Sequence, residues 1–421
     1  MTSRTFRACL ASTTALALLA AACSSDDSDD AVDGAAADEA VQDDAEGSAH
    51  AEIEVDPAAL QTLLDNWRAD ADTFGATLSL RVPGHDDLHL ASGIDDRDPD
   101  TPMPTDGTYD VYSITKTFVA AATLQLVDDG RLSLDDTVEP WLPELPAANQ
   151  TTVETLLSHR AGLGTWCGTN ATPEVMDACV ATISADLTRS YAPEEVLALH
   201  LGEPAVAAPG EQGLYTNTNY TALGLLLERH LDQDLGDIIA DQFIEPLALD
   251  DTIFSDGTTS GTRHGWFSPD GVDPDRPVDM LDIPTQAIDT TLWGAGNMIS
   301  SSADLLTWGD ALYSGEVLGD ATTDEMFDMR GPVHLPRNAW YGLGAGGYCR
   351  ATPDCPADQV ELFGHSGRGL GSTTLLVHHR DSGVTIAINT NVDVGTDGAN
   401  LVELAQGALD ALGIEAARQA N

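Results

Sequence analysis

Apolar residues at Leu60, Leu63, Leu64 and Trp67 recur at helical spacing, which predicts a helix over Pro57 to Ala71. Two strand-like runs follow, Ala76 to Val82 and Asp87 to Ala91, on either side of Pro83-Gly84, and they predict a hairpin. The far end of the chain mirrors this. Ser372 to His379 and Gly383 to Asn389 read as strands joined through Arg380-Asp381-Ser382-Gly383, and Leu401 to Leu412 reads as a helix. Between Ser113 and about Thr285 helical signals dominate, at Thr151 to Leu157, Pro193 to Leu201, Asn219 to Leu231 and Leu235 to Phe243. The chain ends are therefore expected to build one antiparallel sheet, with a mainly helical region of about residues 113–285 inserted between them.

Charge narrows the partners. The 421 residues carry 18 basic and 69 acidic side chains, a net charge of −51, and the only lysine is Lys116. A nucleic-acid surface needs clustered Lys and Arg, so that class is excluded. Such acidity favours a soluble monomer and suits high salt.

The first residues read as processing signals. Arg4 and Arg7 precede the apolar stretch Leu10 to Ala22 and then Cys23, an export signal over residues 1–22 that resembles a bacterial lipoprotein signal, with Cys23 as the lipidated residue. A plain secretory signal is the alternative, and either places the protein outside the cytoplasm. With lipid on Cys23 the chain would sit on the outer face of the cell membrane. Residues 23–51 read as an acidic disordered tether, since Ser24 to Gly47 holds ten Asp or Glu and no basic residue. The catalytic domain is expected over 52–421. Four further cysteines, Cys167, Cys179, Cys349 and Cys355, suggest two disulfides, of which local pairing is the simplest of three connectivities.

Candidate chemistry begins at Val111-Tyr112-Ser113-Ile114-Thr115-Lys116, which opens a helical run to Asp129, capped by Gly130. A spacing of three puts Ser113 and Lys116 on one helix face, so the amine reaches the hydroxyl. The rest of that helix is apolar nearly all round, which would bury Lys116 and lower its pKa toward that of a useful base. Arg in its place would never lose its proton near neutral pH. Tyr215-Thr216-Asn217 stands before the helix that starts near Asn219. Its phenol would shuttle protons, with Asn217 holding a substrate amide. Gly364-His365-Ser366-Gly367-Arg368-Gly369 enters the strand Ser372 to His379, and its glycines allow a close approach to backbone. The backbone N–H of Arg368 with that of Ser113 would form an oxyanion hole, and His365 would supply positive charge. On that reading the rate profile responds to His365 ionisation near neutral pH.

Other motifs fade. His85 and His89 lie in the hairpin, His378 and His379 point to opposite faces of one strand, and Gly342 to Gly347 opens no helix, so neither a metal nor a cofactor is expected.

S-x-x-K, Y-x-N and H-x-G in this order resemble the motifs of the penicillin-recognising serine hydrolases. Tyr215-Thr216-Asn217 and His365-Ser366-Gly367 are most similar to the branch of Streptomyces-type D-alanyl-D-alanine carboxypeptidases, class C β-lactamases and related esterases. Leu156-Leu157-Ser158-His159 before Gly162-Leu163, and Tyr341-Gly342-Leu343-Gly344, also look like landmarks of that family. The resemblance implies an α/β (α+β), β-lactamase/transpeptidase-like fold, with the site between the sheet domain and the helical domain. It implies acylation of Ser113, with Lys116 and Tyr215 as the proton-transfer pair, Asn217 as a substrate-amide ligand and His365 as the electrostatic partner. Ser366 and the Arg368 side chain are expected at a substrate carboxylate. The function so implied is a carboxypeptidase-like serine hydrolase acting on a small peptide or amide. The alternatives are an esterase or β-lactamase on the same scaffold, or a non-catalytic binding protein.

Overall fold

The computed structural model describes residues 53–71, 73–97, 100–259, 261–267, 277–334, 339–349, 356–393 and 399–414. The expected export signal, Cys23 and most of the tether lie outside the described residues, as does Cys355, one half of the second expected disulfide.

The strands in chain order are β1 (Gly75–Arg81), β2 (Leu88–Arg97), β3 (Asp100–Pro102), β4 (Thr108–Asp110), β5 (Ile253–Phe254), β6 (Trp266–Phe267) and β7 (Val278–Asp279). They continue with β8 (Met298–Ser301), β9 (Pro332–Val333), β10 (Ala339–Tyr341), β11 (Gly346–Cys349), β12 (Val360–Gly369), β13 (Ser372–His379) and β14 (Val384–Thr390). Nine of them form one antiparallel sheet in the order β3, β2, β1, β14, β13, β12, β11, β10, β9. The first and last strands of the described residues thus pair inside the sheet, with Leu78 opposite Ile388. Two small sheets, β4-β8-β5 and β6-β7, complete the strands.

The period-two alternation of the central strands feeds two cores. Leu375, Val377, Ile386 and Ile388 face the terminal helices Pro57–Asp70 and Ala399–Ala411, where Leu60, Leu64, Leu404 and Leu409 cover them. Leu376 and Ala387 face the other way, into the larger core built with the helices Thr115–Asp128, Asn217–Leu231 and Ser302–Tyr313. With both faces covered, every residue of β13 and β14 is buried.

Local chemistry sets the helix starts. Asp56 accepts the N–H groups of Ala58 and Ala59 ahead of Pro57 at the first helical position, a cap worth about 1 kcal/mol. Thr172 and Pro173 do the same for Pro173–Ala185, a helix the apolar periodicity alone did not reveal. The expected helix from Leu235 splits into an α-turn, Leu235–Ile239, and a π-helical turn, Ala240–Ile244. The Asn219 to Leu231 helix starts two residues earlier, at Asn217.

Candidate active site

Ser113 lies at the junction of sheet and helices, one residue past a strained position. Tyr112 has φ 45°, a left-handed conformation costly for a bulky residue, and Tyr112–Ile114 form a single 3₁₀ turn between β4 and the helix Thr115–Asp128. Packing enforces the strain. The Tyr112 phenol donates to the Leu370 carbonyl at 2.7 Å, and its ring lies so close to Gly369 that a Cβ there would fall 2.1 Å from Cε1. The α-helix therefore begins two residues after the expected Ser113, yet the spacing of three still brings Lys116 Nζ to 3.0 Å from Ser113 Oγ.

Lys116 is fully buried in a helix whose first ten residues are all buried. Its nitrogen also lies 3.0 Å from Asn217 Oδ1 and 2.6 Å from the Ala295 carbonyl. Burial pushes its pKa well below the ordinary lysine value. A neutral amine fits this set, with two N–H groups donated to Asn217 and Ala295 and the lone pair facing the serine hydroxyl. The faces of Tyr215 and Tyr220 lie 5.0 and 5.7 Å from Nζ. The buried Tyr215 phenol is hydrogen-bonded to Ser113, which opposes the larger upward push of burial on its pKa.

The third motif lies within a strand. Residues 360–369 form β12, and its pairing with β11 ends at Gly364, so His365 to Gly369 keep only β13 beside them and turn an open edge toward the Ser113 turn. Gly367 makes that approach possible, since a Cβ there would lie 1.9 Å from the Val111 carbonyl oxygen and 3.3 Å from the Ser113 nitrogen. The close approach expected between these glycines and a substrate is, at Gly367, an approach to the protein's own backbone.

Three expectations for this strand change. His365 is buried, and burial, the largest cause, with any charge on nearby Lys116 adding to it, pushes its pKa down to about 3 against the opposing bond to Ser366. Its Nδ1–H donates to the Ser366 carbonyl at 2.6 Å, which leaves Nε2 to accept from the Tyr341 phenol at 3.0 Å. The ring is therefore neutral and supplies no positive charge near neutral pH. The Arg368 guanidinium is held by Asp393, Nε to Oδ1 at 2.6 Å and Nη2 to Oδ2 at 3.1 Å, an ion pair that competes with the expected role at a substrate carboxylate. The Ser366 hydroxyl is hydrogen-bonded to the Tyr348 phenol, a partner that a substrate carboxylate would have to share.

Residues outside the three motifs complete the site. Cys167 and Cys179 are disulfide-bonded, as local pairing anticipated, and the bond ties the loop after Trp166 to the helix Pro173–Ala185. That loop walls the site: a Cβ at Gly168 would lie 2.9 Å from Asn217 Nδ2, and Asn170 Nδ2 donates to the Tyr215 carbonyl at 2.9 Å. Tyr341 and His159 complete an aromatic cluster around Tyr215. No group of metal-ligating side chains occurs among the described residues.

An antiparallel sheet flanked by helices, with a serine and a buried lysine where its edge meets the helical region, defines a serine hydrolase of the β-lactamase/transpeptidase-like class. The chain belongs to the Beta-lactamase family, whose model matches residues 60–409. Penicillin-binding protein 4 of Amycolatopsis lactamdurans is 29% identical over 358 residues, 81% of this chain and 87% of that protein. Esterase EstB of Burkholderia gladioli is 30% identical over 363 residues, 76% of this chain and 89% of its own. The solved structure of a D-stereospecific amidohydrolase from Streptomyces sp. superposes with a TM-score of 0.67 at 28% identity, covering 83% of this chain and 98% of that one.

Proposed function

We propose that this protein hydrolyses amides or esters that lack a free carboxylate on the leaving group, through an acyl-enzyme at Ser113. The observation that carries the reading is the Lys116 amine, fully buried and 3.0 Å from Ser113 Oγ. Lys116 takes the serine proton as Oγ attacks the carbonyl carbon, and the N–H groups of Ser113 and Arg368 receive the oxyanion. The proton then passes through the Tyr215 phenol to the departing amine or alkoxide. Asn217 serves twice, accepting from Lys116 and offering its amide to the substrate. Water repeats the sequence on the acyl ester and frees Ser113. A buried lysine with a lowered pKa is the suitable base, whereas burial raises Tyr215 and keeps its phenol protonated, so it releases a proton to the leaving group only as it receives another.

The leaving-group preference rests on charge. A terminal carboxylate needs a cation, and of the two expected on β12, His365 is neutral and Arg368 is paired with Asp393. The esterase and the D-stereospecific amidohydrolase among the similar proteins support ester and amide substrates and a D-configured centre. The carboxypeptidase is the second reading, supported by the similar penicillin-binding protein, and it requires Arg368 to leave Asp393. A D-Ala-D-Ala-terminated peptide and its C-terminal carboxamide separate the two. The carboxamide should react with at least about 10-fold higher kcat/KM, with a mass adduct on the wild type and none on Ser113→Ala. A reversed preference selects the carboxypeptidase, and turnover by Ser113→Ala at the wild-type rate refutes both.

We also propose export and lipid attachment at Cys23, on the strength of the Leu10 to Ala22 run. Intact mass of the membrane-extracted protein showing no lipid on Cys23 would rule that out.

A further inference from the structure

We propose that His159 is a positioning residue that holds the Tyr215 turn in register with Ser113; this rests on the reading of Tyr215 as the proton relay. His159 follows the helix Val153–Leu157 and brackets Tyr215 from both sides. Its carbonyl accepts the Leu214 N–H at 2.8 Å, and its Nδ1 faces the Thr216 N–H at 3.3 Å and the Asn219 side-chain amide at 3.0 Å. Its ring centroid lies 4.2 Å from that of Tyr215, 4.8 Å from Tyr341 and 5.0 Å from Tyr220. Asn170 fixes the Tyr215 carbonyl, so the main chain around the phenol is held by a backbone bond to His159 at Leu214 and by side chains at Tyr215 and Thr216.

His159 is an expensive residue to keep here. It is fully buried with φ 57°, a conformation unfavourable for histidine, and its Nε2 finds no hydrogen-bond partner among the described residues. With Nδ1 accepting, the neutral ring carries its hydrogen on that orphaned nitrogen. A leucine would fill similar space with no polar atom to leave unsatisfied, so packing alone does not account for an imidazole. What the imidazole adds is the acceptor at Nδ1, and that acceptor is spent on the Thr216 N–H and Asn219. Displacing Tyr215 from the serine by about 1 Å is the scale of misplacement that costs about 100-fold in rate.

The test compares kcat and KM of the full chain on an activated ester, with acylable sites counted by intact mass. His159→Asn keeps an acceptor near the Nδ1 position and tolerates the left-handed φ, and it should retain kcat within about 5-fold. His159→Leu should lower kcat about 10-fold or more with KM within about 3-fold, and should add less than about 3-fold in a Tyr215→Phe background. If His159→Leu does not fold, His159→Gln, whose amide is displaced by one methylene, is measured with the same expectation. Three results overturn the proposal: wild-type kcat per acylable site in His159→Leu, equal losses in the Asn and Leu variants, or a full additional loss on top of Tyr215→Phe. Wild-type rates in Tyr215→Phe would instead overturn the relay reading and this inference with it. A slow Tyr215→Phe beside a fast His159→Leu removes this inference alone.

Discussion

Gly367→Ala tests whether the site depends on the contact between the β12 edge and the nucleophile turn. A single methyl added at this position would lie 1.9 Å from the Val111 carbonyl oxygen, where Cβ atoms essentially never come within 3.0 Å, so the two backbones must separate by about 1.1 Å. The obstacle is main chain on both sides, with no flexible side-chain end to swing aside. Overpacking of this kind costs about 1–3 kcal/mol and lowers Tm by a few degrees. The catalytic effect should be larger, because the displaced strand carries the Arg368 N–H away from the Ser113 carbonyl-binding position. A shift of about 1 Å corresponds to a loss of about 100-fold in rate. Stopped-flow acylation by an activated ester, read beside a thermal melt, separates the two effects. A Gly367→Ala protein that melts early yet acylates at the wild-type rate would show that the open edge takes no part in the chemistry.

Lys116→Arg puts a permanent cation in place of the amine, and acylation should fall by about 100- to 10,000-fold; less than a 10-fold loss would exclude the amine as the base. Asp393→Asn weakens the hold on Arg368 and should raise kcat/KM for the carboxylate-terminated peptide relative to its carboxamide by about 10-fold. An unchanged ratio would mean that Arg368 does not face the leaving group. His365 Nε2 should show no titration by NMR between pH 5 and 8, and a midpoint near 6.5 would contradict the buried, tyrosine-bonded ring. His200, His365 and His378 have folded values of about 4, 3 and 4, below an unfolded value near 6.5, so the unfolded chain binds more protons in that window. Their contribution is complete above pH 6.5 and is lost as pH falls toward 4. Asp110 and Asp289, raised to about 6 and 7, act in the opposite sense, so substituting both with Asn should steepen the fall of the urea midpoint between pH 7 and pH 5.

Much of the site was legible because two of its elements are local. Ser113 and Lys116 are three residues apart, and the apolar run after them announces a buried helix. The central sheet was legible for a related reason, since the aliphatic alternation of Ser372 to His379 matches two faces that are both covered. β12 was hidden by its composition: Gly364, Gly367 and Gly369 are poor strand formers, and their reason for being there is the Val111 and Tyr112 backbone and ring pressed against them. β9, β10 and β11 are two to four residues long and lie toward one edge, too short for a period-two pattern to declare itself. The neutrality of His365 and the capture of Arg368 arise from burial and from a partner 25 residues away, and neither leaves a trace in local spacing. His159 was noted only as a landmark, because the bonds that give it a task run to Leu214, Thr216 and Asn219.

The meeting of β1 with β14 also governs when the enzyme can exist during its own synthesis. Gly75 donates to the side chain of Asn391, a closure across 316 residues, and the strand carrying His365 joins β1 only through β13 and β14. A nascent chain that has released the Ser113 and Tyr215 segments still lacks the surface that seats them until its last strands have emerged. Fragments ending before about residue 390 should therefore be unstable and should form no adduct at Ser113, because the surface that seats its turn waits for β14.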